Sequence, residues 1–341
     1  MKAIWVREFT DYRNLALEDV APPELHPGQV RIDVRATGVS FAVSLWVSGK
    51  YQRKPPLPFA PGTEAAGVIT EVAPGVSKFR PGDRVTAALD WGGMAEEAVA
   101  DAVNVHPIPA DMDFDQAIAL PNSYATVCAA FTWPHLLHVK AGQKVLVHGC
   151  AGGIGLAAVE IGKILGATVI GTASSDEKIA AAKAHGADHV INYKRDDFKD
   201  RVLELTEGVG VDVVVDPVGG EVFGRSLRCL APEGRIMPVG FAGGTIPQIP
   251  ANLLLVKNIT VCGLSFGYYH GWGIKDARYE CEDRVRAIMN RLCRWYGEGK
   301  IRPHISHRFP LEKFKEAMAT VLERKSIGRV ALVQGAGIEG L

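Results

Sequence analysis

A glycine-rich turn between an apolar run and an amphipathic stretch is the segment of this 341-residue chain that points most directly to chemistry. The segment Lys144–Leu156 reads KVLVHGCAGGIGL. Such a turn lets the backbone approach a pyrophosphate, and it presents the N–H groups of the following helix to the phosphates. Cys150 stands where the strict G-x-G-x-x-G pattern has its first glycine, so a plain strand–helix turn is the alternative. The context predicts a dinucleotide site formed by Gly152, Gly153, Ile154 and Gly155.

The residues after the next apolar run indicate which dinucleotide binds. NAD sites usually place Asp or Glu there, about 20 residues beyond the glycine turn, to hold the ribose 2′-hydroxyl. Here the run ends in Ala173 and Ser174, with Lys178 further along, and these residues offer a hydroxyl and a cation to a 2′-phosphate. Asp176 is the competing feature because it could fold back to the ribose, and Lys178 could be a solvated helix residue. The pattern favours NADPH over NADH.

The elements that must position these residues follow a regular alternation between residues 144 and 264. Buried parallel strands read as continuous apolar runs, and they need crossover helices between them. The predicted strands are Lys144–His148, Thr168–Thr172, His189–Asn192, Val211–Val215, Arg235–Val239 and Thr260–Leu264. The helical stretches between them include Ile154–Leu165, Glu177–His185, Asp197–Glu207 and Glu221–Leu230. Six strands predict one complete doubly wound parallel sheet.

The flanking regions have a different pattern. The first hundred residues contain short strand-like runs, such as Gln29–Thr37 and Thr63–Val72, separated by Pro-Gly turns. After residue 264 only two helix candidates, Glu280–Trp295 and Leu311–Arg324, and one strand, Gly328–Val333, remain. These are too few for a third domain. We predict a β-rich domain, residues 1–123 and 265–341, interrupted by a dinucleotide-binding domain, residues 124–264.

Composition argues against several classes of partner. Lys+Arg and Asp+Glu both number 38, and the lack of a basic excess or a basic run argues against nucleic-acid binding. The charged start MKAIWVREFTDY has no apolar signal core, and no run reaches the roughly 18 apolar residues that span a bilayer. No membrane partner is predicted, and the expected location is cytoplasmic. The six cysteines form no C-x-x-C pair, so neither a disulfide framework nor a structural zinc site is expected.

The chain resembles the medium-chain dehydrogenase/reductase superfamily, specifically its zinc-free quinone oxidoreductase branch, the zeta-crystallin-like proteins. The resemblance runs from about residue 1 to residue 333, and several segments carry it together. They are the turn Val147–Gly155, GKYQRKPPLPFAPGTEAAG at Gly49–Gly67, PGDRV at Pro81–Val85, GADHVINY at Gly186–Tyr193 and GRVALV at Gly328–Val333. The implied fold is α/β, with a GroES-like β-rich catalytic domain and an inserted Rossmann domain.

The resemblance also implies how the protein works without a metal. It places Ser40, Thr63 and Asn122 where zinc alcohol dehydrogenases have Cys, His and Cys, and hydroxyl or amide groups are poor zinc ligands. The substrate must then accept a hydride with only hydrogen-bond polarisation, as quinones and conjugated carbonyls can. Tyr51 matches the tyrosine that the family places beside the nicotinamide, although it could be a packing residue. Tyr51 and Ser40 are the catalytic candidates.

Further cofactor contacts are implied by the resemblance, and each could instead be structural. They are Thr126 near the nicotinamide ribose, Ser174 and Lys178 at the adenosine phosphate, Tyr193 beside the adenine ribose, Gly240, Phe241, Ser265 and Phe266 along the nicotinamide, and Arg329 at the phosphates.

The resulting prediction is an NADPH-dependent reductase of quinones or conjugated carbonyls. A reductase of C=C bonds in enoyl or alkenal substrates would use the same residues, so it stays open as an alternative. An alternative of another class is a low-turnover, crystallin-like protein that binds the cofactor for a structural or RNA-binding role. The apolar sixth strand Thr260–Leu264 would leave an exposed sheet edge, which predicts at least a homodimer.

Overall fold

The computed structural model describes residues 1–335, and the chain separates into two compact units. The discontinuous unit comprises Met1–Ala125 and the segment that begins at Phe266, and the inserted unit comprises Thr126–Ser265. The sequence predicts these boundaries after residues 123 and 264. Residues 336–341, which the predicted returning segment includes, lie outside the described residues. None of the helices within residues 1–335 combines the length and apolarity needed to cross a bilayer.

The discontinuous unit begins with short strands, as the run-and-turn pattern predicts. Its elements are β1 (Lys2–Trp5), β2 (Ala16–Asp19), β3 (Gln29–Val39), α1 (Phe41–Val47), β4 (Glu64–Val72), β5 (Arg84–Ala88), β6 (Glu97–Asp101), β7 (Val105–Pro107) and α2 (Phe114–Ala117). Along β3 the apolar residues Val30, Ile32 and Val34 are buried and alternate with half-buried polar ones. This period of two gives the strand one core face, which packs with residues of β4 and β5.

The inserted unit alternates strands and helices. Its elements are α3 (Ala125–Thr132), β8 (Lys144–Val147), α4 (Gly153–Ile164), β9 (Thr168–Ala173), α5 (Asp176–Ala184), β10 (His189–Asn192), α6 (Phe198–Leu205), β11 (Val211–Asp216), α7 (Gly220–Cys229), β12 (Leu230–Pro238), α8 (Ala251–Lys257) and β13 (Thr260–Val261).

The six strands of the inserted unit form one sheet in the order β10-β9-β8-β11-β12-β13, and every pairing in it is parallel. The predicted doubly wound parallel sheet is confirmed. The strand order reverses direction between β8 and β11. In sheets of this kind, ligands bind outside the carboxyl ends of the strands at that reversal, which is where the glycine turn follows β8.

The returning segment completes the sheet of the discontinuous unit. It contains α9 (Glu282–Gly297), β14 (Ile305–Pro310), α10 (Phe314–Leu322) and β15 (Arg329–Val333). β15 pairs antiparallel with β3, and the sheet runs in the order β14-β15-β3-β4-β5-β7, with β6 also paired to β3. The last strand of the returning segment is therefore hydrogen-bonded to β3 of the first segment.

Two predicted strands differ from the structure. The sequence predicts a sixth strand over Thr260–Leu264, but only Thr260–Val261 forms a strand paired with β12. The fifth strand begins at Leu230 rather than Arg235, because a register shift in its pairing with β11 admits the turn residues into the strand. Both differences depend on pairing partners, which local sequence does not reveal.

Candidate functional site

The glycine turn of the inserted unit leaves the start of α4 open. Gly152 is the N-cap residue, it is exposed, and no side chain caps the helix there. The first turn of a helix has N–H groups without partners inside the helix, here those of Gly153, Ile154 and Gly155. The next two crossover helices differ, because Ser175 caps α5 and Asp197 caps α6 through their side chains. The α4 terminus therefore has donors available for an anion, and these fit the pyrophosphate of a dinucleotide.

Gly155 allows the helix to pack closely on the turn. A Cβ atom at this position would lie 2.2 Å from the Gly149 carbonyl oxygen and 2.6 Å from Cys150 Cα. The left-handed residue of the turn is Gly149, with φ of 56°, and the glycine motif alone does not identify it. Cys150 is fully buried, and burial raises the pKa of its thiol to about 12. It is thus a neutral packing residue at the position of the missing glycine.

The ends of β9 and β10 bring several predicted cofactor residues together. Ala173 pairs with Asn192 across the two strands, and the Tyr193 N–H donates to the Ala173 carbonyl over 3.2 Å. Ser174 follows Ala173 directly, and Lys178 lies in the first turn of α5, where its N–H contacts the Ser175 hydroxyl at 3.4 Å. Tyr193 is 44% exposed, so its ring remains accessible.

An ion pair that the sequence did not reveal lies at the same strand ends. Arg195 donates to both carboxylate oxygens of Asp176, over 2.9 and 2.8 Å. The hydrogen bond and charge of Arg195 lower the pKa of Asp176. The carboxylate that competed for the ribose diol is therefore already engaged by a guanidinium.

The remaining predicted contacts of the inserted unit are spread along its chain. Thr126 is half-buried in α3, and Ser265 is exposed at the end of the unit. Gly240 and Phe241 follow β12, in a loop that packs on the loop after β11 through the bond from Ala242 N–H to the Pro217 carbonyl, 3.0 Å.

Tyr51 belongs to an aromatic cluster in the discontinuous unit. Its ring stacks on Trp46 with centroids 4.9 Å apart, and Trp46 meets the edge of Trp272 at 6.2 Å. Burial raises the pKa of Tyr51, so the phenol stays protonated and can donate a hydrogen bond. No side chain among residues 1–335 hydrogen-bonds to this hydroxyl. Ser40 precedes α1 whereas Tyr51 follows it, so the two candidates lie at opposite ends of that helix.

Asn122 is one of the residues at the zinc-ligand positions of the zinc dehydrogenases. Its side-chain amide donates a hydrogen bond to Glu64 Oε2 over 2.6 Å. Within residues 1–335, no group of three or more His, Cys, Asp or Glu side chains is arranged to hold a metal ion.

Arg329 and Phe266 lie inside the discontinuous unit. The Arg329 guanidinium is an ion-pair partner of the buried Glu64, and its Nη1 donates to Ser123 Oγ over 3.1 Å. Burial lowers the pKa of Arg329 to about 10. Phe266 is 4% exposed and packs edge-on against His270 at 5.1 Å. These contacts occupy Arg329 within the sheet, at a site that the resemblance did not anticipate.

A doubly wound parallel sheet with an open glycine turn at its strand-order reversal, inserted into a β-rich unit, defines a protein of the dehydrogenase/reductase class. Two family models match the chain: the alcohol dehydrogenase GroES-like domain over residues 26–110 and the zinc-binding dehydrogenase domain over residues 153–278.

Curated and solved relatives agree with this class. A quinone oxidoreductase-like protein 2 from Bos taurus is 41% identical over 94% of this chain and 89% of its own length. The structure of Escherichia coli quinone oxidoreductase complexed with NADPH is 28% identical, with a TM-score of 0.88 over 98% of this chain and all of that one. A 2-haloacrylate reductase structure is 30% identical, with a TM-score of 0.82 over 98% of this chain and all of that one.

The chain belongs to the quinone oxidoreductase branch of the medium-chain dehydrogenase/reductase family, and it is an oxidoreductase. The implied GroES-like and Rossmann architecture is confirmed.

Proposed function

We propose that this protein uses NADPH to reduce quinones or conjugated carbonyls, without a metal. The observation that carries the proposal is the uncapped start of α4 at the strand-order reversal, together with the absence of a carboxylate at the end of β9. The Escherichia coli quinone oxidoreductase solved with NADPH supports the same cofactor. NADPH, when bound, supplies a hydride.

The residues that would hold the cofactor begin with the glycine turn of the inserted unit. The N–H groups of Gly153, Ile154 and Gly155, beside the side-chain-free Gly152, would bind the pyrophosphate, while Ser174 and Lys178 would bind the 2′-phosphate. The other proposed contacts are Tyr193 at the adenine ribose, Thr126 at the nicotinamide ribose, and Gly240, Phe241, Ser265 and Phe266 along the nicotinamide. We leave Arg329 out of this set, because Glu64 and Ser123 already hold its guanidinium.

Tyr51 is the proposed hydrogen-bond donor to the acceptor. Negative charge develops on the acceptor oxygen as a quinone or enone is reduced, and a positioned phenol stabilises that charge in the transition state. The raised pKa of Tyr51 and its free hydroxyl support this role. Ser40 is the second candidate donor. It lies at the opposite end of α1 from Tyr51.

Reduction of an activated C=C bond is the second candidate function. The structural similarity of this chain to a 2-haloacrylate reductase favours this reaction, because the name of that protein describes an unsaturated acid as its substrate. Both reactions place negative charge on a carbonyl oxygen, so the same donor would serve either.

The decisive assay is steady-state NADPH oxidation with a panel of quinones and a panel of enones. We expect turnover with at least one panel, and we expect it to persist in a chelator such as EDTA. Failure of both panels would favour the low-turnover binding alternative, and loss of activity in chelator would refute the metal-free mechanism.

The role of Tyr51 is tested by Tyr51→Phe. The variant keeps the ring that stacks on Trp46 but removes the donor, so kcat should fall while the Kd for NADPH stays within about twofold. Loss of one such donor commonly raises the barrier by a few kcal/mol, so we expect a decrease of at least about tenfold. Unchanged kcat with the best acceptor would mean that the tyrosine only packs.

A further inference from the structure

Asp90 lies between two arginines of the discontinuous unit. It follows β5, and its Oδ1 accepts a hydrogen bond from Arg53 Nη1 over 2.9 Å. Arg278 Nη2 donates to both oxygens of the same carboxylate, each over 3.1 Å. The carboxylate therefore joins the segment that carries Arg53 to a segment more than two hundred residues away in sequence.

Arg278 is a fixed anchor for this bridge. Its side chain is only 5% exposed, and it also pairs with Asp101 and with Asp276. Burial works to lower the pKa of Arg278, but the charges of Asp90 and Asp101 raise it overall. A Cβ atom on Gly271 would lie 2.2 Å from Arg278 Nη2, so the guanidinium packs directly against the backbone just before Trp272.

The two bridged segments also meet through their aromatic rings. Arg53 lies two residues after Tyr51, and Arg278 lies six residues after Trp272. Tyr51 stacks on Trp46, and Trp46 contacts the edge of Trp272. The Arg53 guanidinium lies over the ring of Trp91, 5.4 Å from its centroid, which further restricts its position. An ionic bridge and an aromatic cluster thus connect the same two segments.

We propose that Asp90 is a positioning residue for reduction, which fixes Tyr51 by holding Arg53 against the Arg278 anchor. This inference rests on the proposed function of Tyr51. Without the charge of Asp90, Arg53 loses its carboxylate partner and its link to Arg278, so the segment around Tyr51 can shift. Small displacements of a catalytic group reduce turnover strongly, because the geometry of the reacting groups is stringent.

The test combines kinetics with a spectrum of the aromatic cluster. Asp90→Asn should lower kcat about tenfold while the Kd for NADPH changes little. Its near-UV circular dichroism, which reports fixed aromatic packing, should differ from wild type. Arg53→Gln should act in the same direction, and Arg53→Lys should recover part of the loss because it keeps the charge. Glu71→Gln is the matched control, since it removes a carboxylate from Arg31 of the same unit and should leave kcat and the spectrum unchanged.

A double variant shows whether Asp90 acts through Tyr51. In Tyr51→Phe, Asp90→Asn should cost clearly less than tenfold, since there is no hydroxyl left to misplace. Fully additive losses would overturn the proposal, as would unchanged kcat in both Asp90→Asn and Arg53→Gln. If Tyr51→Phe alone leaves kcat unchanged, the proposed role of Tyr51 fails and the catalytic purpose of the bridge fails with it. The near-UV spectrum distinguishes this failure from a failure of the bridge itself. If the bridge does not hold the aromatic cluster, the spectrum of Asp90→Asn will be unchanged.

Discussion

At the residue scale, we predict that the ends of β9 and β10 set the cofactor preference. Ala173 is buried where an NAD site would place a carboxylate, and Asp176, the nearby acid, is held by Arg195. A carboxylate that contacts the ribose favours NADH and repels a 2′-phosphate, so its absence acts twice in favour of NADPH. We expect kcat/KM to be higher with NADPH than with NADH.

Substitutions at two positions test this preference. Lys178→Ala should weaken NADPH binding about tenfold or more and hardly change NADH binding, because a charge-assisted bond to phosphate contributes about 1.5–3 kcal/mol. Ala173→Asp should shift the preference toward NADH. Lys183→Ala, on an exposed lysine in the last turn of the same helix, is the control and should change neither constant. Equal kcat/KM for the two cofactors in the wild type would contradict this reading.

At the scale of elements, the packing of α4 on its turn depends on Gly155. An alanine there would bring its Cβ within 2.2 Å of the Gly149 carbonyl, so the backbone must shift and move the helix N–H groups. We expect Gly155→Ala to destabilise the protein by about 1–3 kcal/mol and to weaken NADPH binding. Thermal unfolding and a fluorescence titration with NADPH measure the two effects.

The control for Gly155→Ala is a glycine in another helix of the same unit. Gly224 lies inside α7, and a Cβ atom there would have nothing within 4 Å. Gly224→Ala should therefore be neutral or stabilise the helix by up to about 1 kcal/mol. An equal loss of stability in both variants would show that close packing at Gly155 is not the cause.

A buried histidine ties three elements of the inserted unit together. His148 follows β8, its Nδ1 lies 3.0 Å from the Thr172 hydroxyl of β9, and its Nε2 lies 2.7 Å from the Ser226 hydroxyl of α7. Burial lowers the pKa of His148 to about 3. Between an unfolded pKa of about 6.5 and this value, the unfolded chain binds a proton that the folded chain does not.

The free energy of unfolding should therefore decrease as the pH falls below about 6.5, by up to about 1.4 kcal/mol per pH unit from this group. His148→Gln should be less stable at pH 7 and should show a shallower decrease between pH 6.5 and pH 5. His189→Gln, on an exposed histidine, should keep the wild-type slope. Urea unfolding at several pH values measures the slopes, and equal slopes in wild type and His148→Gln would rule out this linkage.

The sequence predicted the elements of the inserted unit well because their apolar runs are long and periodic. Lys144–Val147 and His189–Asn192 could be located to within a residue on that basis. Contacts between distant residues could not be predicted in the same way. The pairs Asp176–Arg195 and Glu64–Arg329 join residues whose proximity depends on strand pairing, and the assignment of Arg329 to the cofactor rests on the family resemblance alone. His148 carried a weak signal, as a lone polar residue at the end of an apolar strand.

At the scale of the whole molecule, the equal numbers of acidic and basic residues give no electrostatic reason to bind nucleic acid. This favours the enzyme over the RNA-binding alternative, and it leaves small molecules and a second copy of the chain as the expected partners. The surface of the inserted unit is relevant to the second of these partners, another copy of the chain.

The edge of the inserted sheet predicts a homodimer. β13 pairs with β12 alone among the described strands, and the preceding α8 exposes Leu255 and Val256 to 78% and 72%. Ile246, in the loop before that helix, is also 68% exposed. Exposed apolar residues beside the edge strand of a sheet commonly mark an interface, and a two-fold axis would pair the same edge of two copies. Because β13 is only two residues long, we expect α8 to supply most of the contact.

Light scattering during size-exclusion chromatography tests this assembly. The wild type should elute with twice the mass of the 36.7 kDa chain at micromolar concentration. Leu255→Asp should shift it toward the monomer, because the carboxylate would be buried without a partner in the interface. Val209→Asp places the same charge on another exposed apolar residue of this unit, between α6 and β11, and should leave the dimer intact. A wild-type mass of 36.7 kDa would reject the dimer, whereas a dimer that survives Leu255→Asp would place the interface on a surface other than α8.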